Sequence, residues 1–480
     1  MTFASLTYLV FLALVFTLYW SIRRRELQNA FLIAAGYVFY AWWDWRFCGL
    51  LLASSLIDFA LGRALGRIQS PRGRRGLLWI SVAANLGLLG FFKYFNFFAV
   101  TISVFAHSMG WRLNPFTLRV LLPAGISFYT FQSLGYVIDV YRGKVRPATR
   151  LVDYLAFVSF FPQLVAGPIE RAGNLLPQFE RERVFSLEAA TDGCRQILWG
   201  LFKKVLISDA LGEVVDAAFA SPRLYSGSSL AAATVCFAFQ IYCDFSGYSD
   251  VAVGTAKLFG FRLTRNFAYP YFSRNPLEFW RRWHISLSTW FRDYLFIPLG
   301  GSRVGPGRLF VNVALTFLLS GLWHGANWTF IAWGLLHALA AYPFLLLRSS
   351  GSSAGSKAPV EDAKPASLAA MALTFTFVSL AWVFFRAETV SDALLIWGRM
   401  AGLVAGPLVP ATLPTSFRGV ALTAMIVGLV LLEWHERRRE HPLTLERRPP
   451  WLRWMAYTAL LWGALILGAS ESRPFIYFQF

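Results

Sequence analysis

Charged residues are scarce in this sequence. They make up 15% of its 480 residues, against about 25% in ordinary soluble proteins, and that shortage excludes a plain water-soluble fold. Cysteine is rarer still: Cys48, Cys194, Cys236 and Cys243 lie in or beside apolar runs, with no CxxC spacing. A disulfide frame and a zinc ribbon are therefore excluded, and the four read as small core residues. No HExxH and no other metal-ligand spacing occurs, so no metal is expected. No GxSxG elbow and no P-loop is present, which leaves a serine hydrolase or a nucleotide-driven pump without local support. Acidic residues are outnumbered, 26 against 45 basic ones, for a net charge of +19. A nucleic-acid reader would carry that charge on a soluble module, and none is visible. The basic residues cluster instead in short loops, Arg23 to Arg25, Arg67 to Arg75, Arg142 to Arg150 and Arg437 to Arg448. That is the pattern of topogenic loops attracted to anionic head groups, so membrane lipids are the expected partner.

Apolar residues fill the rest. Hydrophobic types reach 56% and aromatics 17%, in repeated runs of about the 20 residues that cross a bilayer as helix. Candidate spans fall near 2–20, 29–43, 47–66, 77–105, 118–141, 152–168, 195–220, 229–260, 308–324, 329–347, 368–386, 418–434 and 452–470. Some of these are expected to be broken or re-entrant, which leaves about 11 true crossings. The first run lacks a basic region before it and is followed by Arg23 to Arg25, so it reads as a retained helix rather than a signal peptide. With the N-terminus outside, the basic loops fall on the cytoplasmic side. Residues 348–367 form a low-complexity Gly/Ser/Pro/Lys loop, and 403–417 is a second Pro/Gly-rich connection. No transporter-type repeat and no soluble module is visible, so 1–480 reads as a single membrane domain.

Against this background, intramembrane polar groups are functional candidates by default. Residues 240–254, "QIYCDFSGYSDVAVG", set Gln240, Asp244, Ser246 and Asp250 in an apolar run. Residues 274–301, "RNPLEFWRRWHISLSTWFRDYLFIPLGG", are too charged for a plain span and read as an interfacial or re-entrant helix with snorkelling arginines. Such backbone is tolerated only against protein or a water-filled cavity. Residues 320–329, "SGLWHGANWT", place His324 between Trp323 and Asn327 in apolar surroundings. Of the six histidines, His107, His435 and His441 read as solvated and His337 as a satisfied core residue. His284 and His324 have polar neighbours, and a structural and a catalytic role are equally open for each. Neutral imidazole is the natural general base near pH 7. A water-poor cavity would suit transfer of an acyl group to a hydroxyl, and Gly321 and Gly325 leave room for a substrate.

The stretches "PAGISFYTFQSLGYVIDVYRG" (123–143), "FFPQLVAGPIER" (160–171), "IYCDFSGYSDVAVGTAKLFGF" (241–261), "EFWRRWHISLSTWFRDYLFIPLGG" (278–301) and "GLWHGANWTFIAWGLLHA" (321–338) together resemble the membrane-bound O-acyltransferase (MBOAT) family. The resemblance is to its alginate O-acetyltransferase branch, and less closely to the subunit that transfers D-alanine to teichoic acid. It covers 123–338 with a compatible hydrophobic frame on either side. It implies an all-α polytopic membrane protein, a ring of about 11 transmembrane helices with re-entrant or interfacial helices around a central funnel. It implies that His324 is the catalytic histidine and that His284 is the second histidine near the reaction centre. Tyr242, Asp244, Ser246, Tyr248, Gln132, Pro168, Glu170, Trp323 and Asn327 are then candidate substrate-binding or supporting residues, with helix packing as the competing role. No bound cofactor is implied. The donor substrate would be acetyl-CoA or a related thioester on the cytoplasmic side. The partner would be an extracytoplasmic acetyltransferase or polysaccharide-modification protein, in the inner membrane of a bacterium. The expected reaction is O-acetylation of an exported polysaccharide such as alginate. Acylation of a teichoic-acid-like or lipid-linked acceptor is the alternative, and a transporter without chemistry is the alternative from another class.

Overall fold

The structure is a computed structural model and describes residues 1–118, 121–349, 365–404, 417–445, 448–466 and 475–476. Most of the 348–367 loop and of the 403–417 connection lies outside these residues. Every regular element among the described residues is helical. Six helical stretches are long and apolar enough to cross a membrane: 25–67, 71–108, 227–258, 306–324, 328–347 and 367–386. Shorter apolar helices at 6–21 and 419–435 add to them. Several other apolar runs are helical in pieces, and the chain is a polytopic helical membrane protein.

The chain divides into two compact groups of residues, Met1–Cys194 with Ala252–Thr264, and Arg195–Val251 with Arg265–Phe480. The first holds α1 (Leu6–Ser21), α2 (Arg25–Asp44), α3 (Cys48–Arg67), α4 (Pro71–Leu89), α5 (Phe95–Ser108), α6 (Ile126–Tyr141), α7 (Leu151–Ser159), α8 (Phe161–Leu164), α9 (Ala172–Phe179) and the start of α10 (Leu187–Leu201). The expected 152–168 span is split here, because Phe160 is extended and Pro162 opens the next short helix. Asp58 of α3 is fully buried and accepts hydrogen bonds from Ser81 at 2.7 Å and Asn85 at 2.9 Å, both on α4. A buried carboxylate needs such donors, and these bonds tie α3 to α4 at one register.

The second group holds α11 (Asp209–Ala220), most of α12 (Gly227–Leu258), α13 (Pro276–Arg282), α14 (Ile285–Phe291), α15 (Pro306–His324), α16 (Trp328–Ser349), α17 (Pro365–Arg386), α18 (Val390–Met400), α19 (Phe417–His435) and α20 (Pro450–Ile466). A π-helical turn at Phe202–Ser208 joins α10 to α11 and carries Lys203 and Lys204. α15 and α16 form a tight hairpin. A Cβ on Gly321 would lie 2.2 Å from the Phe330 carbonyl oxygen, and one on Gly334 would lie 2.4 Å from that of Phe317. Small residues at both positions let the two backbones touch, the usual way helices associate inside a membrane.

Two sequence expectations need correction. Cys194 is exposed on α10 rather than packed in a core, because it falls on an outward-facing position of that helix. His441 is buried rather than solvated, at 1% exposure. Arg439 bonds to the Thr444 backbone and hydroxyl oxygens, which folds the turn after α19 and takes His441 inside with it.

Candidate active site

The charged, aromatic 274–301 stretch is not one helix. It forms α13 and α14, each seven residues long, followed by a π-helical turn at Arg292–Phe296. α13 starts where Asn275 accepts from the Glu278 backbone N–H at 2.9 Å and Pro276 sits at the first turn. Glu278 is then held between Arg274 at 3.0 Å and Arg282 at 2.8 Å. The break between the helices falls at His284, whose φ of 43° lies in the left-handed region. That conformation is uncommon for a residue with a side chain and marks stored strain of the kind found at functional sites.

The 266–268 segment holds the break in place. The Ala268 N–H donates to the Arg282 carbonyl at 2.9 Å, and the Ile285 N–H donates to the Asn266 carbonyl at 2.9 Å. Asn266 also works through its side chain. Its Oδ1 takes the Ser286 backbone N–H at 3.2 Å and the Ser286 hydroxyl at 2.9 Å, and lies 3.2 Å from Nδ1 of His284. Its Nδ2 donates to the Ser249 hydroxyl of α12 at 3.2 Å.

His324, the last residue of α15, meets His284 with ring centroids 6.3 Å apart. Both are buried, at 2% and 0% exposure. Aromatic rings close around the pair: Trp323 touches both imidazoles, at 5.0 Å from His324 and 5.8 Å from His284. Trp333 and Phe385 pack edge-on to His324 at 5.2 and 5.3 Å, and Phe245 to His284 at 4.6 Å. Two imidazoles inside a shell of indole and phenyl rings can exchange protons with a substrate while competing water is kept out.

The supporting residues named from the sequence divide. Trp323 belongs to the shell. Asn327 ties the turn after His324, accepting from the Thr329 N–H at 3.1 Å and donating to the Glu388 carbonyl at 3.0 Å. Tyr242 donates to Glu433 of α19 at 2.8 Å. Asp244 pairs with Lys204 at 2.5 Å and accepts the Ile476 N–H at 2.8 Å, while Lys204 also pairs with Asp209 at 2.8 Å. Ser246 accepts from Lys203 at 2.8 Å, and Lys203 reaches Asp250 at 2.5 Å. Tyr248 packs on Phe475 at 4.4 Å, and Phe475 in turn lies against Phe245 at 5.4 Å.

Gln132, Pro168 and Glu170 belong to the first group of residues. Gln132 bonds the Phe157 carbonyl at 3.0 Å, Pro168 is buried, and Glu170 accepts from Thr264 and from Asn174 at 2.6 Å. Burial pushes the Glu170 carboxyl up, opposed by those bonds. Among the described residues no group of three or more His, Cys, Asp or Glu could hold a metal ion.

Asn266, Phe245, Trp333 and Phe385 are not marked as site residues by the sequence. Apolar aromatics carry no signal against an apolar background, and Asn266 lies 18 positions from the histidine it touches. A cleft of about 1030 Å³ was likewise invisible. Its lining includes Arg281, Arg292 and Arg303, with Ser288, Thr289 and Trp280. It reaches Thr316 on α15, about 12 Å of helix before His324 at 1.5 Å per residue.

The description "MBOAT, membrane-bound O-acyltransferase family" matches residues 148–350. The chain is 38% identical over 515 residues to the "Probable alginate O-acetylase AlgI" of Pseudomonas putida, covering all of both chains. This chain belongs to the membrane-bound O-acyltransferase family. It is also 33% identical to the "Peptidoglycan O-acetyltransferase" of Helicobacter pylori, over 94% of this chain and 91% of that one. To the "Teichoic acid D-alanyltransferase" of Streptococcus thermophilus it is 31% identical, over 45% of this chain and 55% of that one. These relatives move different groups to different polymers, so the family carries the reaction class: this membrane-bound protein is an O-acyltransferase.

Proposed function

We propose that this O-acyltransferase takes an acetyl group from a cytoplasmic thioester of the acetyl-CoA type for O-acetylation of an exported polysaccharide such as alginate. The observation that carries the reading is the buried His284–His324 pair, 6.3 Å apart in an aromatic shell. In it His324 is the general base toward the acceptor hydroxyl, and His284 orients substrate or stabilises charge. A positioned base of this kind contributes about 10²–10⁴-fold. Support for a phosphate-bearing donor comes from the cleft, where three arginines could take phosphates and Trp280, Phe317 and Leu345 offer apolar wall. Support for a polysaccharide acceptor comes from the names of the relatives, alginate and peptidoglycan among them. The protein would sit in the bacterial inner membrane with its N-terminus outside. It would hand acetyl to an extracytoplasmic acetyltransferase or polysaccharide-modification partner.

The test is His324→Ala in cells that make the polymer. Polymer acetylation should vanish while the protein is still made and inserted, and wild-type acetylation would sink the assignment. The match to a D-alanyltransferase favours one second reading, acylation of a teichoic-acid-like acceptor. Mass spectrometry of the acyl group on surface polymer separates the two.

A further inference from the structure

We infer that Asn266 is a positioning residue that fixes which ring nitrogen of His284 bears the proton, so that the unprotonated nitrogen of His284 is Nε2. The argument starts from the Ser286 backbone N–H, which can only donate. It lies 3.2 Å from Oδ1 of Asn266, so that atom is an acceptor and the amide cannot be the other way round. On the far side Nδ2 then donates to the Ser249 hydroxyl, which accepts at 3.2 Å. The same Oδ1 lies 3.2 Å from Nδ1 of His284. An amide oxygen accepts only, so Nδ1 must donate and carries the ring proton. In neutral imidazole the lone pair then belongs to Nε2.

The rest of the geometry makes this arrangement rigid. Asn266 and His284 are both buried, at 1% and 0% exposure. Backbone bonds on both sides of the His284 kink run to the 266–268 segment. Phe245 meets the imidazole edge-on at 4.6 Å, and the titratable ring of His324 is also in ring contact with it. The left-handed backbone at His284 is the strained feature that this network holds in place.

The consequence for the reaction rests on the proposed function above. A neutral His284 accepts a hydrogen bond at Nε2 from a substrate O–H or N–H and thereby orients it, rather than acting as a resident cation. Any positive charge that gathers on the ring is shared through Nδ1–H with the Asn266 oxygen. The pairing is the amide counterpart of the carboxylate that holds a catalytic histidine in its working tautomer.

The experiment uses the full-length protein in detergent or vesicles, with Asn266→Ala and Asn266→Asp. Asn266→Ala should lower kcat by about tenfold to a hundredfold, the scale known for loss of the partner that orients a metal-bound histidine, with KM for the donor little changed. Asn266→Asp keeps an acceptor but adds a negative charge, which favours the protonated ring. It should keep more kcat than Asn266→Ala and move the pH profile to higher pH. Nitrogen chemical shifts of ¹⁵N-histidine-labelled wild-type protein should show His284 protonated at Nδ1, identified by the signal lost in His284→Gln. A proton on Nε2, or an Asn266→Asp profile superposable on wild type, overturns the inference. If Asn266→Ala fails to fold, the Asn266→Asp profile and the nitrogen shifts still decide. If the wild-type protein transfers no acyl group at all, the proposed function fails while the nitrogen shifts still report the tautomer.

Discussion

Trp280 donates its indole N–H to Nδ1 of His337 at 3.2 Å, and both side chains lie in the protein interior. His337 is in turn 4.8 Å from Trp333, which packs against His324 at 5.2 Å. One hydrogen bond therefore holds the ring that walls the arginine cleft and, through Trp333, backs the histidine pair. His337→Phe removes the acceptor and strands a buried indole N–H, at a cost of about 1–3 kcal/mol. His337→Gln can still accept. Thermal unfolding in detergent should show a lower Tm for the Phe variant and partial recovery for Gln; equal Tm values for both would remove the bond from the account.

Lys204 is the centre of a buried ion cluster. It meets Asp244 and Asp209 at 2.5 and 2.8 Å, with all three side chains 5% exposed or less. Lys204→Met leaves two buried carboxylates without their cation, which should cost about 3–5 kcal/mol. Inserted, folded protein should fall sharply on size-exclusion chromatography. Adding Asp244→Asn and Asp209→Asn to Lys204→Met should restore part of it, because both stranded charges are then gone.

The α15–α16 hairpin should not tolerate a methyl group at Gly321. The added Cβ would lie 2.2 Å from the Phe330 carbonyl oxygen, a backbone atom that cannot swing aside. Overpacking of this kind costs about 1–3 kcal/mol or more. Gly321→Ala should therefore lower both Tm and transfer activity, whereas Gly428→Ala, with open space around its Cβ, should leave Tm near wild type.

The cleft arginines predict a salt effect on the donor. Arg292 and Arg303 are exposed, and Arg292 shares its charge with Asp293 at 2.7 Å. Exposed charges are screened over about 10 Å at 0.1 M salt. The double variant Arg292→Gln, Arg303→Gln should raise KM for the thioester donor about tenfold and flatten its dependence on ionic strength. An unchanged KM would move the donor elsewhere.

Hydropathy, the shortage of charge and the short basic loops sufficed to make this a polytopic helical membrane protein, because a bilayer demands long apolar helices whatever their arrangement. His284 and His324 also stood out in the sequence, since an imidazole in an apolar run is costly enough to need a reason. Their meeting at 6.3 Å depended on tertiary structure. One sits at a kink between two short helices and the other ends a long one, and no periodicity links positions 40 apart. The same holds for Asp244 and Ser246, for which sequence leaves a pocket role and a packing role open, and whose hydrogen bonds to Lys204 and Lys203 appear only in the fold. Asn266 is the reverse case, an ordinary polar residue in sequence that acquires its place only when the chain folds it against His284. Sequence alone determined which solvent this chain requires and which polar groups defy it. Only the fold decided which of those groups face one another, because hydrogen bonds and ring contacts depend on distances that the order of residues does not contain.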